Sequence, residues 1–79
     1  MRVTVVLFAA LRERVGERRL VVELPDGSTI EDVKRLLQSR HRALTEIPFH
    51  VSRNRAYADL KKRLREGDEL AFLPPVGGG

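Results

Sequence analysis

The stretch Pro25-Asp26-Gly27-Ser28-Thr29-Ile30-Glu31-Asp32-Val33-Lys34-Arg35-Leu36-Leu37-Gln38 decides the architecture, because one hydrophobic period gives way there to another. Pro25 fixes φ and Gly27 accepts positive φ, so residues 25–27 read as a turn. Ser28 reads as the N-cap of a helix, and Glu31 three residues later completes a capping box. Ile30, Val33, Leu36 and Leu37 form one helical stripe, while Glu31, Lys34, Arg35 and Gln38 face away. Arg40, His41 and Arg42 fall in or just past the last turn, where positive charge complements the helix dipole.

Toward the N-terminus the period is two. Residues 18–24 alternate, with Leu20, Val22 and Leu24 as the inward set. Residues 2–8 read as a strand with Val3, Val5 and Leu7 on one face and Arg2 and Thr4 opposite. Between these strands Leu11 and Val15 are four apart and Gly16 supplies a stop, which predicts a helix of about two turns. Beyond the main helix, residues 49–53 read as a short strand, Asn54-Arg55 as a turn and Ala56-Tyr57 as a brief return. Residues 65–68 form another turn before a final apolar strand over 69–73, which Pro74-Pro75 ends. The expectation is an α+β domain: one sheet covered by a main helix, with a second, short helix.

Composition narrows the function. The chain has 79 residues, 42% hydrophobic and 33% charged, with no Cys and no Trp. Folding at this mass buries roughly 60% of the chain's surface, which leaves no room for an internal substrate cavity. Without Cys there is no disulfide framework, thiolate zinc site or cysteine nucleophile, which fits the cytoplasm. No apolar run approaches the ~20 residues that span a bilayer, and no cleavable leader pattern is present.

The 15 Lys and Arg outnumber 11 Asp and Glu, for a net charge of +4. A nucleic-acid reading needs stacking aromatics among those bases. Only Phe8, Phe49, Tyr57 and Phe72 are aromatic, and three of them sit in apolar runs that read as core. A solvated mixed-charge surface is the simpler reading, with a basic face for an acidic partner as its alternative. His41 and His50 are nine apart, not a metal-ligand spacing, and read as surface histidines. Glu66, Asp68 and Glu69 read as solvated turn carboxylates, and Ser28 as a cap with no histidine partner near in sequence.

The end of the chain, Pro74-Pro75-Val76-Gly77-Gly78-Gly79, is the informative feature. It reads as a stiff stem followed by a thread without side chains, reaching at most ~20 Å when extended. Residues 1–74 are thus expected to form the domain and 75–79 a flexible tail. The tail presents an α-carboxylate, ionised at pH 7 because its pKa is about 3.5. A carboxylate is a poor electrophile and must be activated, for instance as an acyl-adenylate. The chain has no phosphate-binding glycine motif, so another protein would supply that step. Leu70, Phe72 and Leu73 are either a docking patch beside the tail or plain core, Leu70 and Phe72 sharing one face and Leu73 the other.

Phe8-Ala9-Ala10-Leu11-Arg12-Glu13 with Gly16, Pro25-Asp26-Gly27-Ser28-Thr29 before the helix, Asn54 in the third-strand turn and Gly67-Asp68-Glu69 before the last strand occur in one order. With Pro74-Pro75-Val76 and a terminal Gly78-Gly79, they make the sequence resemble the small subunit of molybdopterin synthase, the MoaD group of the ubiquitin-like β-grasp sulfur carriers. The resemblance implies that fold, a mixed sheet of four to five strands. It also implies that Gly79 is the reacting group: a ubiquitin-activating-type enzyme adenylates its carboxylate with ATP, and sulfur from a persulfide donor displaces AMP to leave a thiocarboxylate. No cofactor is implied on the chain itself. The tail would enter the large subunit and pass sulfur to cyclic pyranopterin monophosphate in molybdenum cofactor biosynthesis.

By the same resemblance Gly78 gives clearance in both partners' channels, and Pro74, Pro75 and Val76 stand at the channel mouth. Gly77 departs from the family, which more often has Ser, Thr or Ala there. The runner-up readings are a sulfur carrier for thiamine or tRNA thiolation, or a protein-conjugating ubiquitin-like modifier. A basic nucleic-acid-binding module is the third.

Overall fold

Alternating apolar side chains build the sheet. The structure is a computed structural model that describes residues 1–54 and 56–75. In β1 (Arg2–Leu7), Val3, Val5 and Leu7 are fully buried and Thr4 and Val6 partly exposed, as period two requires. The other strands are β2 (Arg19–Glu23), β3 (His50–Arg53), β4 (Ala56–Tyr57) and β5 (Glu69–Leu73). They form a five-stranded sheet in the order β2-β1-β5-β3-β4, with β1 and β5 parallel and the other pairs antiparallel. The mixed sheet with one main helix is the β-grasp arrangement.

The helices are α1 (Ala9–Val15), α2 (Ile30–Arg40) and a one-turn α3 (Ala43–Glu46). α1 ends at Gly16, whose φ of 84° is the left-handed C-cap that glycine adopts without strain. α2 buries Ile30, Val33 and Leu37 in a core shared with Val3, Val5, Leu7, Val22, Leu70 and Phe72. α3 is an element that the periodicity does not predict, since four residues make no repeat. It buries Ala43 and Leu44, takes a hydrogen bond from the Gln38 amide to the Leu44 carbonyl at 3.0 Å, and is tied to α1 by an Arg14–Glu46 ion pair.

Three local expectations are corrected. The capping box lies one residue later than Ser28 and Glu31. The Thr29 hydroxyl accepts the Asp32 N–H at 3.2 Å, and the Asp32 carboxylate accepts the Thr29 N–H at 2.8 Å. Ser28 instead donates its hydroxyl to the Pro25 carbonyl at 2.8 Å, closing the turn. Phe49 lies outside β3; its ring stacks on Phe72, centroids 4.5 Å apart, under the Lys34 ammonium at 5.3 Å. Asp68 is not solvated. It is buried, accepts the Arg65 N–H at 2.8 Å and pairs with Arg53 at 3.2 Å, which pins the 59–68 segment to β3.

Candidate functional site

β5 positions the stem of the tail. It lies at the centre of the sheet, between β1 and β3, and its alternation divides its residues cleanly. Leu70 and Phe72 are each 0% exposed and belong to the core. They therefore form no docking patch: both point under α2, where Phe72 pairs across the ladders with Leu7 and Val51. Ala71 and Leu73 point to the opposite face of the sheet. Pro74 is half-buried and Pro75 exposed, while Val76, Gly77, Gly78 and Gly79 lie outside the described residues.

That opposite face carries no helix among the described residues and holds an open depression of about 580 Å³. Val6, Phe8, Tyr57, Ala71 and Leu73 give it an apolar floor and wall, with Arg19 and Glu69 at its margins. Phe8 is 41% exposed and Tyr57 81% exposed. Phe8 is extended at φ −120° and ψ 153°, and the next residue, Ala9, takes φ 49°. A left-handed alanine is strained, and here it swings the chain from β1 into α1 directly after Phe8. Tyr57 projects from β4 with its ring edge-on to His50 at 6.0 Å. Two exposed aromatics on a patch with charges at its border are the ingredients of a protein interface.

Reading Phe8 as core missed this face. The signal was available in the strand period: if Leu7 points inward, Phe8 points outward. Tyr57 carries no such signal, because β4 has only two residues. The histidines stay apart, His41 capping the end of α2 and His50 exposed on β3. Among the described residues no group of three His, Asp or Glu is placed to hold a metal ion, and no helix is long and apolar enough to cross a membrane. Part of the excess positive charge is structural: Arg53 is committed to Asp68 and to the Arg63 carbonyl, the latter at 3.1 Å. The described residues thus present an open face around the end of β5, with Phe8 and Tyr57 exposed on it.

Comparison with known proteins gives a consistent result. The ThiS family profile matches residues 5–79. The chain is 32% identical over 83 residues to the molybdopterin synthase sulfur carrier subunit of Chlamydomonas reinhardtii, covering 100% of both chains. It is 39% identical over 84 residues to the protein of the same name from Drosophila yakuba, covering 100% of this chain and 92% of that one. Among solved structures, small archaeal modifier protein 1 of Haloferax volcanii superposes with a TM-score of 0.90 at 32% identity, covering 100% of each chain. A chain from the complex of subunits 1 and 2 of the Helicobacter pylori molybdopterin-converting factor superposes with a TM-score of 0.74 at 26% identity, also covering 100% of each.

Proposed function

This chain belongs to the ThiS family, and on that premise we propose that it carries sulfur as the small subunit of a molybdopterin synthase. The observation that carries the reading is its relationship to proteins named molybdopterin synthase sulfur carrier subunit, which covers 100% of this chain. In this proposal the Gly79 carboxylate is the reacting group. A ubiquitin-activating-type enzyme converts it with ATP to an acyl-adenylate and pyrophosphate. The outer sulfur of a donor persulfide displaces AMP to give an acyl disulfide, and a second thiol cleaves this to the thiocarboxylate, leaving a disulfide on the donor side. The thiocarboxylate then gives its sulfur to cyclic pyranopterin monophosphate. Gly78 and Gly77 leave room for a narrow channel in either partner, and Pro74, Pro75 and Val76 form the stem at its mouth.

The docking face is the second part of the proposal. Val6, Phe8, Tyr57 and Leu73 lie on the side of the sheet that α2 leaves open, around the end of the strand that leads into the stem. A large subunit seated there would receive the tail. The Helicobacter pylori relative, solved as a complex of subunits 1 and 2, supports a partner of this kind. Intact-mass spectrometry of the chain from its native host tests the carrier chemistry, the expected species having one oxygen replaced by sulfur. Deleting Gly79 is expected to abolish sulfur transfer and leave the fold unchanged. A truncated chain that still sulfurates the pterin precursor would refute the proposal.

The likeness to small archaeal modifier protein 1 favours a second reading, conjugation to proteins. Adducts joined through the Gly79 carbonyl to lysines of other proteins would support it. Co-purification of a thiocarboxylated chain with a larger subunit supports the first.

A further inference from the structure

β2 (Arg19–Glu23) forms one margin of the sheet, and the direction of its backbone groups follows from its pairing with β1. Met1 and Leu24 exchange reciprocal bonds: the Met1 amine donates to the Leu24 carbonyl at 2.7 Å, and the Leu24 N–H to the Met1 carbonyl at 2.9 Å. At the other end the Leu7 N–H donates to the Arg18 carbonyl at 2.9 Å. Hydrogen-bonded and non-hydrogen-bonded pairs alternate along an antiparallel ladder. Val3–Val22 and Val5–Leu20 are therefore bonded pairs, while Arg2–Glu23, Thr4–Val21 and Val6–Arg19 are not. The N–H and C=O groups of Arg19, Val21 and Glu23 consequently point away from β1, and no partner for them exists among the described residues.

The side chains of the same three residues share the open face of the sheet. Val21 is 56% exposed, with a cation two positions before it and an anion two positions after. Such a strand is complementary to itself. Laid antiparallel on a second copy with a two-fold axis at Val21, it sets Val21 opposite Val21 and Arg19 opposite Glu23, twice. Each facing pair is of the hydrogen-bonded type, so three pairs contribute two backbone bonds each. Leu20 meets Val22 on the other face and continues the core layer.

Other registers fare worse. A one-residue slip sets outward backbone groups against inward ones. A two-residue slip in one direction brings Glu17 against Glu23, and in the other sets Pro25, which has no N–H, against Arg19. Glu23 already holds Arg2 at 3.2 Å through Oε1, which leaves Oε2 for a second guanidinium.

We infer that the β2 margin is a self-association edge, where a second copy of this chain docks by antiparallel β2–β2 pairing centred on Val21. The two five-stranded sheets become one of ten strands. One strand edge buries little area, so the dimer is weak and depends on concentration. Charged edge residues ordinarily deter such pairing, but here their order along β2 selects the symmetric register.

Sedimentation equilibrium of the full chain between about 10 µM and about 1 mM is expected to show a reversible monomer–dimer equilibrium. Val21→Pro removes the central outward N–H at an edge position that tolerates proline, and weakens the dimer at least ~10-fold. Arg19→Glu sets carboxylates opposite one another with a similar loss, and Arg19→Glu combined with Glu23→Arg restores association to within about threefold. A further readout uses the absence of Cys from the chain. In Val21→Cys the two thiols face each other across the axis, with Cα atoms ~5.5 Å apart, within disulfide reach. In Glu23→Cys they stand ~14 Å apart. Mild oxidation should therefore cross-link the first variant and not the second. A chain that stays monomeric throughout, a dimer indifferent to both Val21→Pro and Arg19→Glu, or equal cross-linking at positions 21 and 23 overturns the inference.

Discussion

Thr29 and Asp32 hold the first turn of α2 by exchanging two hydrogen bonds. Loss of an N-cap hydroxyl costs about 1 kcal/mol, so Thr29→Ala should destabilise by that amount in urea unfolding, and Ser28→Ala by less than about half of it. Asp32 adds a pH dependence. The Thr29 N–H, then its hydroxyl, and more weakly the Arg35 charge hold the Asp32 carboxyl below its ordinary value of 3.8. A carboxylate with a lowered folded-state pKa stabilises the fold above its unfolded pKa, and that stability is lost as pH falls through the folded value. Between pH 5 and pH 2 the urea midpoint of the native chain should therefore fall further than that of Asp32→Asn. That a capped helix begins near Pro25-Asp26-Gly27 was legible in the sequence. The frame was not, because Ser28…Glu31 and Thr29…Asp32 are both plausible boxes. The choice is made by distant backbone: the Ile30 and Glu31 N–H groups donate to the carbonyls of Lys62 and Leu60 at 3.0 and 2.9 Å.

At the scale of elements, β5 shows what periodicity conveys. Its alternation places Leu70 and Phe72 together from sequence alone, but the choice between core and docking face needs α2 in place. Phe72 is fully enclosed, stacked on Phe49 and facing Leu7 and Val51. Truncating such a residue costs roughly 3–5 kcal/mol, a large part of the ~4–12 kcal/mol available to a domain of this size. Phe72→Ala should therefore populate the unfolded state at room temperature, seen as lost near-native chemical-shift dispersion. Leu73→Ala, on the open face, should cost only about 1 kcal/mol. α3 stayed illegible because a single turn has no repeat, and its place depends on contacts with α1 and α2. The burial of Asp68 was equally hidden: it depends on Arg53, fifteen positions away in sequence and 3.2 Å away in space.

For the whole molecule, the sheet separates two tasks. Its inner face, closed by α2, holds the hydrophobic core; its outer face exposes Phe8 and Tyr57 around the end of β5. Stability and association should then respond to different substitutions. The double variant Phe8→Ser/Tyr57→Ser removes little buried area, so its thermal midpoint should stay close to that of the native chain. Exposed aromatics that become buried at an interface commonly carry 1–2 kcal/mol or more each, and 1.4 kcal/mol is tenfold in affinity. Titration calorimetry with the large subunit should thus show binding weakened by about 30- to 700-fold, while deletion of Gly79 changes that affinity far less than it changes transfer. If the aromatic variant binds as tightly as the native chain, recognition lies in the tail alone and the outer face is not its docking surface.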